Sequence, residues 1–178
     1  MKKYKEFNEK PEVKIDYYDN GQKKYEKWWL NDKLHRKDGP AVQYWYDNGQ
    51  KEFEEWYENG KLHKEDGPAI QWWYKNGQKN YEDWFLNGKR HREDGPAYQN
   101  WYSNGQKSYE HWYLRGKVHK EDGPAVQGWY ENGQKAYESW YLNGKIYSRE
   151  KWIEKLKDIG SPHYEEQEAL YNAEKYNL

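Results

Sequence analysis

Short runs in which apolar and polar residues alternate recur along most of the chain, and Asn-Gly pairs separate them. The stretch from Ala41 to Pro68 shows the order: AVQYWYD, NG, QKEFEEWYE, NG and KLHKEDGP. Asn-Gly between such runs is the strongest local signal for a two-residue type I′ turn, because both central residues of that turn need positive φ. The pattern predicts two hairpins of antiparallel strand in this stretch.

The pattern repeats with a period of 28 residues, since Asn-Gly-Gln begins at Asn20, Asn48, Asn76, Asn104 and Asn132. A motif ending in Asp-Gly-Pro-Ala recurs in step, starting at His35, His63, His91 and His119. A glycine about every dozen residues leaves no room for a stable helix before residue 146. We therefore predict a mainly β, single-domain array of five antiparallel hairpin units over residues 13–147, after an N-terminal extension over residues 1–12.

The segment that joins two units contains Gly-Pro, which cannot continue a strand ladder smoothly, so we predict a bulge or tight loop there. We interpret the histidine as a cap of a strand end and the aspartate as an acceptor of a backbone N–H. A His three residues from an Asp could also be a base with its orienting group or two metal ligands, but an active site is normally assembled once. We therefore predict no catalytic residue, no metal site and no cofactor. The predicted structural turn residues of the second unit are His63, Asp66, Gly67, Pro68, Asn48, Gly49, Asn59 and Gly60.

The stretch FEEWYENGKLH, from Phe53 to His63, resembles the membrane occupation and recognition nexus (MORN) repeat. The whole unit is more similar to the longer variant MORN repeat of bacterial antitoxin-like and giant-virus proteins. The resemblance covers about residues 13–147 and departs from the ordinary pattern at Lys64-Glu65-Asp66, which is inserted before Gly67. It implies an elongated, twisted sheet of hairpins and a role as an antitoxin-like partner of a toxin or as a component of a viral infection.

Period-two alternation divides each unit between two faces. If both Asn-Gly pairs are two-residue turns, Tyr46 lies opposite Lys51 and Tyr57 lies opposite Leu62. The first face then carries Val42, Tyr44, Tyr46, Phe53, Tyr57 and Leu62. The second face carries Ala41, Gln43, Trp45, Glu54, Trp56 and His63. We assign the first face to the core, because its residues stay mostly apolar from unit to unit.

The second face keeps its Trp and Glu residues in every unit. One interpretation is a repeated cross-strand network with stacked Trp–His pairs; the other is a groove for a sugar, a peptide or a cationic side chain. We favour the network, because packing of identical units demands identity, and a functional surface is expected where units differ. The groove interpretation and the positions that differ between units together give the possible partner surface. It consists of Trp45, Trp73, Trp101, Trp129, Trp56, Trp84, Trp112, Glu54, Glu82, Glu110, Tyr44, Trp72 and His111.

The fifth unit abandons the motif after Lys145, and residues 148–178 read as a two-helix cap. Ser148 is a good N-cap, and Gly160 should end the first helix. Pro162 is expected at the first position of the second helix. The predicted buried contacts are Trp152, Ile153, Leu156 and Ile159 in the first helix, and Tyr164, Leu170, Ala173 and Tyr176 in the second. Dimerisation through these helices is the alternative to capping.

Composition limits the function classes. The chain has 20 Tyr, 12 Trp and 3 Phe, which supply the apolar surface that its few aliphatic residues cannot. It has no cysteine, hence no disulfide, thiolate zinc site or cysteine nucleophile. Lys+Arg 30 against Asp+Glu 31 argues against a duplex-DNA binder. No apolar run has the roughly 18–20 residues of a membrane span, and no apolar signal segment follows Met1, so we expect a cytoplasmic protein, in the host cytoplasm if it is viral.

We therefore expect a non-enzymatic repeat protein that binds or scaffolds another macromolecule, most simply a protein. It would be a monomer or a homodimer paired through a sheet edge or through its helices. A carbohydrate or cell-wall binding module that uses Trp and Tyr ladders is the alternative. Binding of acidic lipid headgroups is a further alternative, which rests on the MORN resemblance alone.

Overall fold

The computed structural model describes residues 10–176. An antiparallel sheet runs through the repeat array, and two helices follow it. The prediction of a mainly β array of hairpins with a C-terminal helical cap is confirmed. Most of the predicted N-terminal extension, residues 1–9, lies outside the described residues.

The elements follow one another in a regular order. They are β1 (Glu12–Tyr17), β2 (Lys23–Leu30), β3 (Lys33–Leu34), β4 (Val42–Trp45), β5 (Lys51–Glu55), β6 (Tyr57–Glu58), β7 (Lys61–Leu62), β8 (Ile70–Trp73), β9 (Lys79–Asp83), β10 (Phe85–Leu86), β11 (Lys89–Arg90), β12 (Tyr98–Trp101), β13 (Lys107–His111), β14 (Tyr113–Leu114), β15 (Lys117–Val118), β16 (Val126–Trp129), β17 (Lys135–Leu142), β18 (Lys145–Tyr147), α1 (Arg149–Asp158) and α2 (Tyr164–Tyr176).

The large sheet has 12 strands, in the order β1-β2-β4-β5-β8-β9-β12-β13-β16-β17-β18, with β3 paired to β2. The pairs β6-β7, β10-β11 and β14-β15 are short hairpins between its strands. Backbone hydrogen bonds join one short hairpin to the next: the N–H of Gly60 donates to Leu34 (2.9 Å) and the N–H of Gly88 to Leu62 (2.8 Å). The units are thus connected both in the sheet and along the stack of hairpins.

The two Asn-Gly pairs of a unit form different turns. At the second pair, Asn59 (φ 50°) and Gly60 (φ 78°) both have positive φ, and Tyr57 lies opposite Leu62, as expected for a type I′ turn. At the first pair the expected two-residue turn is wrong, because Lys51 lies opposite Trp45 instead of Tyr46. There the N–H of Gly49 donates to Tyr46 (2.9 Å), which closes a three-residue loop with Gly49 at φ 80°.

The side chain of the first Asn explains this difference. Asn48 Oδ1 accepts a hydrogen bond from the N–H of Gln50 (3.0 Å), so the Asn mimics a backbone turn and only the following Gly needs positive φ. Asn48 Nδ2 also donates to the carbonyl of Lys75 in the next unit (3.2 Å). The hydroxyl of Tyr46 makes a parallel contact, donating to the carbonyl of Trp73 (2.8 Å). Equivalent bonds from Tyr18, Tyr74 and Tyr102 join the other units.

The histidine motif also joins units. His63 Nδ1 accepts a hydrogen bond from the N–H of Asn87, in the type I′ turn of the following unit (3.1 Å), and His35, His91 and His119 make the same contact. This contact was not expected from the sequence, which suggested a Trp–His stack. The aspartate has a partner that the sequence did not indicate: in the third unit Asp94 accepts from the Arg92 guanidinium (2.9 Å).

The first face, which we assigned to the core, is buried only in part. Val42 and Val126 are buried there, and its other residues in the second unit, Tyr44, Tyr46, Phe53, Tyr57 and Leu62, are half-buried. In other units Trp72 is 42% exposed and Tyr137 is 48% exposed. The second face instead buries one glutamate in each of four successive units, Glu26, Glu54, Glu82 and Glu110. The alanine after each Gly-Pro is fully buried at Ala41, Ala69, Ala97 and Ala125.

The two helices close the C-terminal end. Ser148 Oγ accepts from the N–H of Lys151 as the predicted N-cap (3.3 Å), and Trp152, Ile153 and Leu156 pack on Leu142 of β17. Trp152 Nε1 donates to the carbonyl of Lys120, so α1 also contacts the preceding unit (3.2 Å). None of the described helices is long and apolar enough to span a membrane.

Some details of the cap were predicted wrongly. Ile159, Leu170 and Tyr176 are exposed, not buried, and α2 starts at Tyr164, so Pro162 precedes it. The buried residue of α2 is Gln167, whose amide donates to the carbonyl of Asp122 (3.4 Å). α2 adds Tyr164 and Tyr171, which pack half-buried against the apolar cluster of α1 and Leu142.

Replacement of Leu156 by Ala should reduce the free energy of unfolding by about 2–5 kcal/mol, because it leaves a cavity in the only apolar cluster that joins helix and sheet among the described residues. Urea unfolding followed by circular dichroism measures this. The matched control is Ile159→Ala, one turn further on and exposed, for which we expect a change within about 0.5 kcal/mol. Equal effects of the two substitutions would contradict the capping contact.

Candidate functional site

Five aromatic side chains form a continuous row across the first face of the sheet. They lie directly opposite one another on β2, β4, β5, β8 and β9. Ring centroids along the row are 5.6, 5.9 and 4.6 Å apart in the first three pairs. We call these residues the aromatic row: Tyr25, Tyr44, Phe53, Trp72 and Tyr81.

The row arises from the repeat, but the repeat does not continue it. Every second strand supplies an aromatic residue in all units, namely Tyr25, Phe53, Tyr81, Tyr109 and Tyr137. The strands between them supply Tyr44, Trp72, Asn100 and Gly128, so the row is interrupted after Tyr81. At Gly128 the ring of Tyr137 occupies the vacant space, since a Cβ there would lie 2.4 Å from its Cε1.

A row of flanking residues runs beside the aromatic row. In strand order it consists of Lys27, Val42, Glu55, Ile70 and Asp83, so that charged and apolar side chains alternate. The Lys27 ammonium lies 5.6 Å from the Tyr25 ring and 5.2 Å from the Tyr44 ring. Burial raises the pKa of the Glu55 carboxyl, and a hydrogen bond from Tyr57 opposes that shift.

An ion pair fixes the far end of the row. Asp83 is fully buried, and both of its carboxylate oxygens accept from Arg90 Nε (3.1 and 2.9 Å). The Tyr81 hydroxyl donates to Asp83 Oδ2 (2.7 Å). Burial raises the pKa of Asp83, against the hydrogen bonds and charge of its partners, and it also raises the pKa of Tyr81. Tyr81 is therefore held in place as a neutral hydrogen-bond donor.

His111 occupies the same column as Asp83, one unit further on. Its ring packs against Tyr109 (4.3 Å between centroids), and Tyr98 and Tyr113 also lie beside it. Its Nε2 is buried and has no hydrogen-bond partner among the described residues. Burial first, and then the charge of Arg90, lower the pKa of His111 to about 4.

The second face is organised around its buried glutamates. Glu54 accepts from Lys51 Nζ (2.6 Å) and from Trp56 Nε1 (3.3 Å). Equivalent bonds hold Glu26 and Glu110. At Glu26 burial opposes ionisation, but hydrogen bonds from Lys23 and Trp28 and the charge of Arg36 hold the pKa below its ordinary value. In the third unit Glu82 keeps its lysine, while Trp84 Nε1 is buried with no partner among the described residues.

Cations of the chain itself lie over the tryptophan rings of this face. The Lys64 ammonium is 4.0 Å from the Trp56 ring centroid, and the Lys51 ammonium is 5.3 Å from Trp73. The same arrangement covers Trp28, Trp84, Trp112, Trp140, Trp45, Trp101 and Trp129. The Glu and Trp residues that the predicted partner surface takes from the second face are thus engaged in contacts within the protein.

One cleft lies outside the aromatic row. It has a volume of about 670 Å³ and is lined by loop residues of the second and third units, among them Lys64, Trp84 and Arg92. Its basic side chains are those that cover Trp56 and Trp84. Within residues 10–176 no group of three or more His, Asp or Glu side chains is arranged to hold a metal ion.

The structure therefore divides the predicted surface residues. Tyr44 and Trp72 lie in the aromatic row, and His111 lies beside its interrupted end. The predicted Trp and Glu residues of the second face lie apart from the row. Sequence reasoning named Phe53 only as a core residue and missed Tyr25, Tyr81 and Arg90. The strand register could have identified Tyr25 and Tyr81, because it places the aromatic residue of every second strand opposite Tyr44 or Trp72.

Stability should fall as the pH falls from about 6.5 to about 4, by up to about 3 kcal/mol from His111 alone. Its folded pKa lies below its unfolded value, so the unfolded chain binds the proton first, and the contribution is complete only above about pH 6.5. The measurement compares urea unfolding of wild type and His111→Ser, the residue that unit five has at position 139, across this range. A difference that does not change with pH would contradict the buried neutral state.

Fluorescence quenching by acrylamide should distinguish the two faces. Because Trp72 is 42% exposed whereas Trp56 lies under Lys64, Trp72→Phe should remove more of the quenchable emission than Trp56→Phe. Stern–Volmer plots of the two variants and of wild type measure the accessible fraction. A larger loss from the Trp56 substitution would show that the second face is the open one.

Compared with models of known protein families, with characterised proteins and with solved structures, the chain has no match.

Proposed function

We propose that this chain is a non-enzymatic repeat protein that binds another macromolecule, most simply a protein, through the aromatic row. The supporting observation is the exposure of Trp72, a large aromatic side chain that is 42% exposed in an otherwise half-buried row. Aromatic side chains dominate binding energy at protein interfaces because they remove much apolar area from water with few rotatable bonds. The row offers such groups on a rigid sheet.

Variation between units supports this choice of surface. Residues that hold the units together recur in each unit, as the Tyr46 and His63 contacts do. The strands that complete the row change from aromatic to Asn and Gly, although the backbone pairing stays the same. Packing alone gives no reason for that change. A ligand that contacts only the first three units gives one, because the fourth and fifth units then need no aromatic residue at this position.

The second face gives less support to the carbohydrate alternative. A sugar ring stacks on an open aromatic face, and each tryptophan in the two ladders already has a cation over its ring. A sugar that displaced Lys51 from the Trp73 ring would also remove a hydrogen-bond partner of the buried Glu54. The more specific hypotheses of an antitoxin-like or virus-encoded partner, and of a cytoplasmic site of action, rest on the sequence resemblance and composition.

A capture experiment tests the proposal. Tagged full-length chain is incubated with lysate of cells from its natural source, crosslinked, and analysed by quantitative mass spectrometry. We expect at least one protein to be enriched by wild type and by the cap variant Ile159→Asn, and to be reduced about tenfold or more with Trp72→Asn. Asn is the residue that unit four has at the equivalent position, so the substitution is compatible with the strand.

Equal recovery of the same proteins by wild type and Trp72→Asn would contradict the proposed surface. Turnover of a substrate by the purified chain, abolished by replacement of a single histidine, would contradict the non-enzymatic role.

A further inference from the structure

We propose that the aromatic row binds a proline-rich segment in the polyproline II conformation, with the segment lying across the strands. This inference deepens the proposed function by naming the chemistry of the partner, and it rests on that function. Four observations lead to it: the period of the row, the tilt of its rings, its hydroxyl groups and the balance of charge beside it.

The period of the row matches that of polyproline II. Neighbouring strands are about 4.7–4.9 Å apart, so the aromatic residue that each unit supplies recurs about every 9.4–9.8 Å. A polyproline II helix has three residues per turn and a rise of about 3.1 Å, which gives a repeat of about 9.3 Å. Successive units, represented by Tyr25, Phe53 and Tyr81, would therefore meet every third residue of such a segment.

The tilt of the rings favours this ligand over flat ones. Interplanar angles along the row are 44°, 42° and 51°, so adjacent rings are inclined to one another and form no coplanar platform. The rings are in contact, so a pyrrolidine ring would rest on the angled surface that two inclined rings present, as on the aromatic-lined grooves that recognise proline-rich segments. Stacked nucleobases or the sugars of a linear glycan need rings that present parallel faces.

The polar groups and charges at the row also favour a proline-rich segment. Tyr25 and Tyr44 carry hydroxyls at the row, whereas the Tyr81 hydroxyl is already used by Asp83. A proline-rich segment has carbonyl oxygens but few N–H groups, so it needs donors such as these two. Lys27 and Glu55 on the flank balance one another, and Asp83 is paired with Arg90. Lys14, whose ammonium lies 5.9 Å from the Tyr25 ring, adds one positive charge at the near end of the row. One extra lysine does not make the positively charged groove that single-stranded nucleic acid requires.

The row also sets the length of the segment. Five strands enclose four gaps of about 4.8 Å, or about 19 Å in all. At about 3.1 Å per residue this corresponds to about six residues, or two turns of polyproline II. The twist of the sheet, about 20–25° per strand, limits a straight ligand to such a short stretch. Asn100 ends the row of directly opposed aromatic residues, and the next ring is that of Tyr98, which packs edge-on against Tyr81 (5.2 Å between centroids).

Fluorescence polarisation with fluorescein-labelled decaproline tests the inference, using the full chain. We expect saturable binding, and about tenfold weaker binding by Trp72→Asn, with a Gly-Ser peptide of equal length as the ligand control. The protein control is Ile159→Asn on the helical cap, which should bind as wild type does. A second variant, Asn100→Trp, fills the interruption with the residue that unit three has there, and it should strengthen binding.

Two further peptides test the period. A dodecamer of four Pro-Ser-Ser triplets should bind more tightly than one of three Pro-Ser-Ser-Ser quartets. Only a spacing of three residues places a proline at the aromatic residue of each successive unit. Equal binding by the two would contradict the period argument. Circular dichroism of each variant confirms that the fold is retained.

Several outcomes would overturn the inference. They are absence of saturable decaproline binding, equal binding by Trp72→Asn, and Trp72-dependent binding of cellohexaose or oligo-dT in its place. A wild-type dimer in sedimentation that Trp72→Asn dissociates would instead assign the row to a second copy of the chain. If capture from lysate depends on Trp72 while decaproline does not bind, the proposed function stands and the polyproline inference fails. If decaproline binds and capture yields no partner, the inference stands and the proposed function fails.

Discussion

A buried carboxylate in each of four successive units is the constraint on which the rest of the structure depends. Glu54 is only 5% exposed, and a charge in that position is tolerated only when it is paired and hydrogen-bonded. Lys51 and Trp56 supply these bonds, and Lys64 then covers the Trp56 ring. One buried charge therefore fixes the identity of three neighbours, and the fixed set recurs with the repeat.

This constraint leaves the opposite face free to vary. A substitution at Glu54 or Trp56 would leave a polar group of this face without its hydrogen-bond partner. The row positions on the first face are half-exposed, and their side chains can change without that loss. The strands between the invariant aromatics accordingly carry Tyr44, Trp72, Asn100 and Gly128 without a change in pairing. Stability thus depends on one side of the sheet, and the recognition that we propose would use the other.

Contacts between units explain how a single layer of strands holds together. The Tyr46 hydroxyl and His63 Nδ1 each bind a backbone group of the next unit, so the connection does not depend on a thick apolar core. The apolar cluster is instead found where the array ends, at Leu142, Trp152 and Leu156. There the last unit has no successor, and a helix replaces the missing neighbour.

The sequence by itself determined the repeat, the hairpins, the type I′ turn at Asn59 and Gly60, and the helical cap, because these depend on local turn chemistry and on periodicity. Tertiary structure decided the rest. The loop at Asn48 is one residue longer than a two-residue turn because its side chain binds the backbone. The second face buries its glutamates because lysines from neighbouring positions bind them, and further cations from the loops lie over the Trp rings. The aromatic row required the register across five strands, which brings together residues as distant as Tyr25 and Tyr81. No local pattern contains that alignment, since it exists only once the units are paired.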